Sequence, residues 1–189
     1  MSQKTNLIRP VIAQIIPALN NGGVERGTVE TAQAISDVGW NPIVISSGGM
    51  LESQLKRAGA KHFTLPVNKK NPVSWQFTKV KLQKILKGEN VDIVHVRSRV
   101  PAWIGLPVAK VLDIPTVSTI HGKFEAYNLL KRAYNKQMLK ADEIIAISKF
   151  TKSVIERQFP KLLPNISLNV IHRGVDTSVF NPINVTQQR

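Results

Sequence analysis

At 189 residues, with ordinary apolar content, the chain fits one domain with a sizeable core, and having no cysteine it excludes disulfides and thiolate metal sites. No window approaches the unbroken apolar run that spans a bilayer, and the N-terminus MSQKTNLIRP lacks the apolar core of a signal peptide, so a cytoplasmic location is expected. The unusual quantity is the net charge of +14.

Taken in chain order, apolar runs of strand length alternate with helix-length segments. The first strand is expected at 11–16, followed by a loop holding Asn20, Asn21, Gly22 and Gly23 and a helix at 24–38 with Gly39 as its cap. Strand 43–46 and helix 51–58 follow, with Gly59 as the next cap. Strand 62–65 leads to helix 72–87, opened by Pro72 and closed by Gly88. Strand 93–96 precedes helix 102–112, with Pro101 at its start. Strand 116–120 precedes helix 124–139, and strand 143–147 precedes helix 149–158, which Ser148 caps. Strand 168–171 comes last. Several of these strands are continuous Val/Ile runs, the pattern of strands buried on both faces of a parallel sheet. Repeated βα units imply right-handed crossovers and an α/β fold, a Rossmann-like doubly wound sheet. In such sheets ligands bind outside the carboxyl ends of the strands. The candidate loops are therefore 17–23, 47–49, 97–101, 121–124 and 148–149.

The charge is clustered. From Ser53 to Gly88 there is no acidic residue, while Lys56, Arg57, Lys61, Lys69, Lys70, Lys79, Lys81, Lys84 and Lys87 all fall there. A second group is Lys123, Lys131, Arg132, Lys136 and Lys140. Any single lysine reads as solvated surface, but the cluster favours an anionic partner such as lipid headgroups, a phosphorylated glycan or nucleic acid. No helix-turn-helix, RNP or zinc-ligand string supports nucleic acid. The dinucleotide fingerprint and the G-x-x-x-x-G-K-[ST] phosphate loop are also absent.

Five strings carry chemistry. NNGGVERG joins a strand to a helix, a geometry that aims free N–H groups at an anion, and glycines let a phosphate approach the backbone. A tight turn is the other reading of the same glycines. HVRSRVPAWIG places Arg97, Ser98, Arg99 and Trp103 at a strand end and helix start. Two arginines there suit phosphate or carboxylate, and the tryptophan either stacks on a sugar or packs in the core. IPTVSTIHGKF puts His121 and Gly122 at a strand end. The imidazole is placed either to bond a sugar hydroxyl or shuttle a proton, or to bond backbone. Ser148 in ADEIIAISKF reads as an N-cap. VIHRGVDTSVFNP carries Arg173, Gly174, Val175, Asp176, Phe180 and Pro182, which composition alone reads as a turn.

In this order, over residues 10–183, the strings resemble the N-terminal half of retaining family 4 glycosyltransferases, most closely the bacterial branch that extends lipopolysaccharide core, including mannosyltransferases. The resemblance implies the GT-B architecture, two Rossmann-like domains across a cleft, with residues 1–172 as the acceptor-side domain and 173–189 as linker. It implies that Gly22 and Gly23 face the donor diphosphate and that His121 lies near the transferred sugar as the catalytic histidine. It places Arg97, Ser98, Arg99 and Trp103 toward the acceptor, and Arg173, Gly174 and Asp176 at the interdomain linker. A nucleotide sugar is implied as substrate and no cofactor beside it. The sequence shows no clustered carboxylates for a metal. The family's paired glutamates, separated by seven residues, have no counterpart among Glu25, Glu30, Glu52, Glu89, Glu125, Glu143 and Glu156. The expectation is a half enzyme lacking its C-terminal donor domain and inactive alone, whose complete form moves a hexosyl unit to a lipid-linked glycan at the inner face of the membrane. The alternative is a non-catalytic module that binds membrane or a partner protein.

Overall fold

The computed structural model describes residues 9–122, 124–175 and 177. Among these residues seven strands are present: β1 (Val11–Ile15), β2 (Asn41–Ser46), β3 (Lys61–Thr64), β4 (Ile93–Val96), β5 (Thr116–Ile120), β6 (Glu143–Ala146) and β7 (Ser167–Val170). They form one all-parallel sheet in the order β3-β2-β1-β4-β5-β6-β7. Six α-helices connect them: α1 (Gly23–Asp37), α2 (Glu52–Arg57), α3 (Pro72–Gly88), α4 (Arg99–Val111), α5 (Leu129–Lys136) and α6 (Lys149–Gln158). The α/β class and doubly wound topology expected from the Val/Ile runs are what the structure shows.

Alternate residues of a strand point to opposite faces, and both faces are buried. Ile43 and Ile45 join the larger core with α3, α4 and α6, whereas Val44 between them joins the smaller core under α1 and α2. One helix approaches the sheet closely enough to require glycine. A Cβ on Gly105 of α4 would stand 2.8 Å from Ile15 Cδ1 and 3.1 Å from Val96 Cγ1.

Strand order reverses beside β1, which pairs with β2 on one side and β4 on the other. The loops leaving β1 and β4 therefore diverge and open a crevice, the usual ligand position in an open α/β sheet.

Four boundaries differ from expectation. Helix α4 starts at Arg99, three residues early, because proline is tolerated in a first turn whose N–H groups have no intrahelical partner. The expected helix at 124–139 is only α5 plus a 3-10 turn, Gln137–Lys140. Asn128 delays its start by accepting from the Lys131 N–H (2.8 Å), and Phe124 turns into the core instead. Gly88 lies inside α3, whose cap is Glu89, followed by Asn90 at φ 50°. A second 3-10 turn, Pro160–Asn165, precedes β7 and was not foreseen. Gly39 and Gly59 do adopt the left-handed conformation of helix caps, at φ 79° and 76°.

Candidate functional site

The glycine loop forms the first wall of the crevice. Gly22 caps α1 in an extended conformation with no side-chain hydrogen bond to the first turn, so those N–H groups remain open to a ligand. The loop is held from behind by the segment after β2. Leu19 N–H donates to Gly48 O (2.9 Å), and Leu51 N–H donates back to Leu19 O (2.9 Å). Gly49 makes this possible, since at φ 151° its missing Cβ would enter the Leu19 backbone. The 47–49 loop, expected as a candidate site, thus serves as a brace. Asn21, Gly22, Gly23, Arg26, Arg173 and Gly174 border a cavity of about 510 Å³ in front of the loop. The Glu25 carboxylate leans over Gly22, so close that a Cβ there would collide with it.

Arg173 ties the far end of the chain to this wall. Its Nη1 donates to Gly23 O (2.7 Å), and its Nη2 donates to both carboxylate oxygens of Glu30 (3.1 Å each). Gly174 and Val175 border the same cavity. Asp176, Phe180 and Pro182 lie outside the described residues, as does Lys123.

The second wall comes from β4 and β5. Arg97 extends the β4–β1 ladder, its N–H donating to Ile15 O (3.1 Å), and its guanidinium reaches across to α1, where Nη2 donates to Thr31 Oγ1 (2.8 Å). Only 7% of Arg97 is exposed, and its Nε has no hydrogen-bond partner. Burial, with Arg173 as a second cause, lowers it to about 10, while Glu30 works the other way. It stays charged at neutral pH. His121 follows β5 with its Nε2 buried and likewise unpartnered. Burial, reinforced by Arg97 and then Arg173, pushes the imidazole down to about 4. At neutral pH it is uncharged and a weak base. Beneath both, His95 Nε2 and Thr119 Oγ1 lie 2.7 Å apart in the sheet.

Arg97 and His121 line two adjoining hollows. One, of about 540 Å³, runs between α1 and the exits of β5, β6 and β7. The other, of about 180 Å³, adds Ser98, Arg99, Gly122 and Phe124. A larger cavity of about 820 Å³ lies at the opposite end of the sheet, near Pro115, Thr116 and Asp142, away from every one of these loops. Among the described residues, no three His, Cys, Asp or Glu side chains converge as metal ligands.

The model of glycosyltransferase family 4 matches residues 21–179. The chain belongs to glycosyltransferase family 4. No curated protein matches it. Among solved structures, a glycosyltransferase from Rickettsia africae is 37% identical with a TM-score of 0.79, covering 95% of this chain and 47% of that one. Anabaena HepE in complex with UDP and glucose, at 13% identity, has a TM-score of 0.70 and covers 89% of this chain and 46% of that one. Sucrose-phosphate synthase from Thermosynechococcus elongatus, at 14% identity, has a TM-score of 0.66 and covers 90% and 50%. The family 4 chain thus spans about half the length of these structures, and its sheet is that of a GT-B half.

Within this family 4 chain, Gly22, Gly23, Arg97, Ser98, Arg99, His121, Arg173 and Gly174 all border the crevice. Trp103 does not join them. Its ring is stacked between Trp75 (5.7 Å) and Tyr134 (6.4 Å), and its Nε1 donates to Tyr134 O (3.2 Å). It clamps α3, α4 and α5 together, the packing reading of that tryptophan. Ser148 caps α6, accepting from Thr151 N–H (3.1 Å).

Two positioning residues escaped the sequence reading. Thr31 holds Arg97, and Asn135, wholly buried in α5, accepts from Arg99 Nε (2.5 Å) and donates to Phe124 O and Glu125 O (3.2 Å each). Neither stands in a motif. Their partners lie far away in the chain, so no local signal marks them.

Proposed function

We propose that the chain is the acceptor-side half of a retaining hexosyltransferase that moves a sugar from a nucleotide diphosphate donor to a lipid-linked glycan, of the lipopolysaccharide-core kind, at the inner membrane face. The observation that carries this reading is the convergence of an uncapped glycine loop, two arginines and a neutral histidine at the topological switch point. The complex of a structural neighbour with UDP and glucose supports a nucleotide-sugar donor.

In the reaction, the bond between the anomeric carbon and the diphosphate oxygen breaks as the acceptor hydroxyl oxygen bonds to that carbon. The hydroxyl proton passes to the departing diphosphate. Charge growing on that diphosphate would meet the Gly22 and Gly23 amides, the α1 dipole and Arg26. His121, uncharged at neutral pH, would orient the sugar through Nε2 rather than remove a proton. A domain C-terminal to Arg173 and Gly174 would supply most of the donor contacts. The His121→Ala variant, assayed with a panel of nucleotide sugars and a supplied C-terminal half, should transfer well over tenfold more slowly with unchanged melting. Near-normal turnover would remove His121 from the site.

Membrane attachment has its own support. Val73, Phe77 and Val80 of α3 are 70%, 73% and 57% exposed, and their spacing of four and three puts them on one stripe. Lys69, Lys70, Lys81 and Lys84 accompany them, with no acidic residue between Ser53 and Gly88. An apolar stripe inside a basic field suits the surface of an anionic bilayer. Among the described residues no helix is long and apolar enough to cross one. Flotation with vesicles containing phosphatidylglycerol should recover the chain at low salt and lose most of it at high salt or with Phe77→Ser. Equal recovery on neutral vesicles would contradict this.

A further inference from the structure

We propose that the 180 Å³ pocket at the exits of β4 and β5 takes a single oxyanion of the acceptor, a carboxylate or a phosphate monoester carried by the accepting glycan, separately from the donor diphosphate at the glycine loop. The inference rests on the acceptor-side reading above and names the chemistry of that acceptor.

Charge is the first argument. Arg97 and Arg99 both line the pocket, and among the described residues no carboxylate does. Arg99 is anchored by Asn135 and lies over the Phe124 ring at 5.5 Å, so its position is set before any ligand arrives. Ser98 caps the 13-residue α4 without a side-chain hydrogen bond, which turns the open end of that helix toward the same space.

Unsatisfied polarity is the second and independent argument. The Arg97 guanidinium is buried with its Nε unpartnered, and Thr31 Oγ1, which its Nη2 reaches, is neutral. The nearby carboxylate of Glu30 is bonded to Arg173. A buried guanidinium with no carboxylate hydrogen-bonded to it is costly, and an oxyanion beside it offsets that cost where a sugar hydroxyl would not. The buried, unpartnered Nε2 of His121 supplies a further polar atom on the same wall.

Size is the third. The pocket is smaller than the roughly 300–1,000 Å³ of cavities that enclose drug-sized ligands. It suits one substituent of a glycan and not a nucleoside diphosphate.

The test is ligand-observed NMR on the full chain with glucuronate, glucose 6-phosphate, glucose and inorganic pyrophosphate. Glucuronate and glucose 6-phosphate separate the carboxylate from the phosphate source, and pyrophosphate stands for the donor diphosphate. At least one sugar acid should bind tenfold or more tightly than glucose. Arg97→Met should weaken it tenfold or more and leave pyrophosphate within twofold, and Arg26→Gln should do the reverse. If Arg97→Met does not fold, Thr31→Val and His121→Gln serve instead, each weakening the sugar acid at least threefold. Equal binding of glucose and both sugar acids overturns the proposal. So does indifference of the sugar acid to all these variants, or a loss of pyrophosphate binding that matches the loss of sugar acid. The two readings fail separately. Transfer by the completed enzyme to neutral acceptors alone would remove the acid pocket and keep the transferase. Sugar-acid binding without transfer from any nucleotide sugar would do the opposite.

Discussion

The two ends of the sheet carry cavities of opposite character. At the end where the strands begin, the larger cavity is chemically at rest. Asp142 Oδ2 accepts from both Thr116 N–H (2.8 Å) and Thr116 Oγ1 (2.6 Å), and Asp142 N–H donates back to that hydroxyl (3.0 Å). At the end where the strands stop, the cavities are smaller, yet Arg97 and His121 each bury a nitrogen that bonds nothing. Volume and unsatisfied polarity point to opposite ends. Of the three buried side-chain atoms without a partner among the described residues, those of Arg97 and His121 sit at this end, and the third is Gln14 Oε1 within β1.

The comparison is sharpened most by disabling the resting end. Asp142→Ala leaves the buried Thr116 N–H without an acceptor, which should cost about 1–3 kcal/mol of stability. Pyrophosphate and sugar-acid binding should be unchanged. Urea unfolding beside ligand titration checks this, and a binding defect as large as the stability defect would break the contrast.

A smaller effect separates the ends by pH. His121 titrates near 4 in the folded chain and near 6.5 when unfolded, and burial lowers His95 in the same direction. Between those values the unfolded chain binds more protons, so stability should be full above about 6.5 and decline as the pH falls toward 4. Asp142 is held below its ordinary 3.8, first by the Thr116 side-chain hydrogen bond. Its contribution is present above 3.8 and lost only below it, as its folded form protonates. His121→Gln should reduce the upper slope, leaving the part that His95 and His62 contribute, and leave the lower window unchanged. Urea midpoints across pH decide it, and an unchanged upper slope would show that His121 is not the group responsible.

The smallest change concerns the open end itself. Glu25 brings a negative charge beside Gly22 in the first turn of α1, so Glu25→Gln should tighten pyrophosphate binding a few-fold. Unchanged or weaker binding would mean the glycine loop is not the diphosphate's seat.

Much of the scaffold was readable along the chain, because its signals are local. Continuous Val/Ile runs announce strands buried twice over, and Gly39 and Gly59 announce helix ends through a conformation other residues resist. The glycine loop and His121 could be found for a related reason, since a strand's carboxyl end is a position in the sequence as well as in space. The misjudged helix at 124–139 shows the limit. Helical periodicity was present, but Asn128 and the buried Phe124 settled where the turn began.

By itself, then, the order of residues determined a parallel wound sheet, the loops at its carboxyl edge and a basic flank. Tertiary structure decided what the side chains at that edge do. It turned Trp103 into a clamp and Ser47–Gly49 into a brace, and it sank Arg97 beneath Thr31. The reason is physical. A strand or cap depends on neighbours a few residues away, whereas burial, orphaned hydrogen-bonding atoms and shifted protonation depend on groups the chain brings together only when it closes.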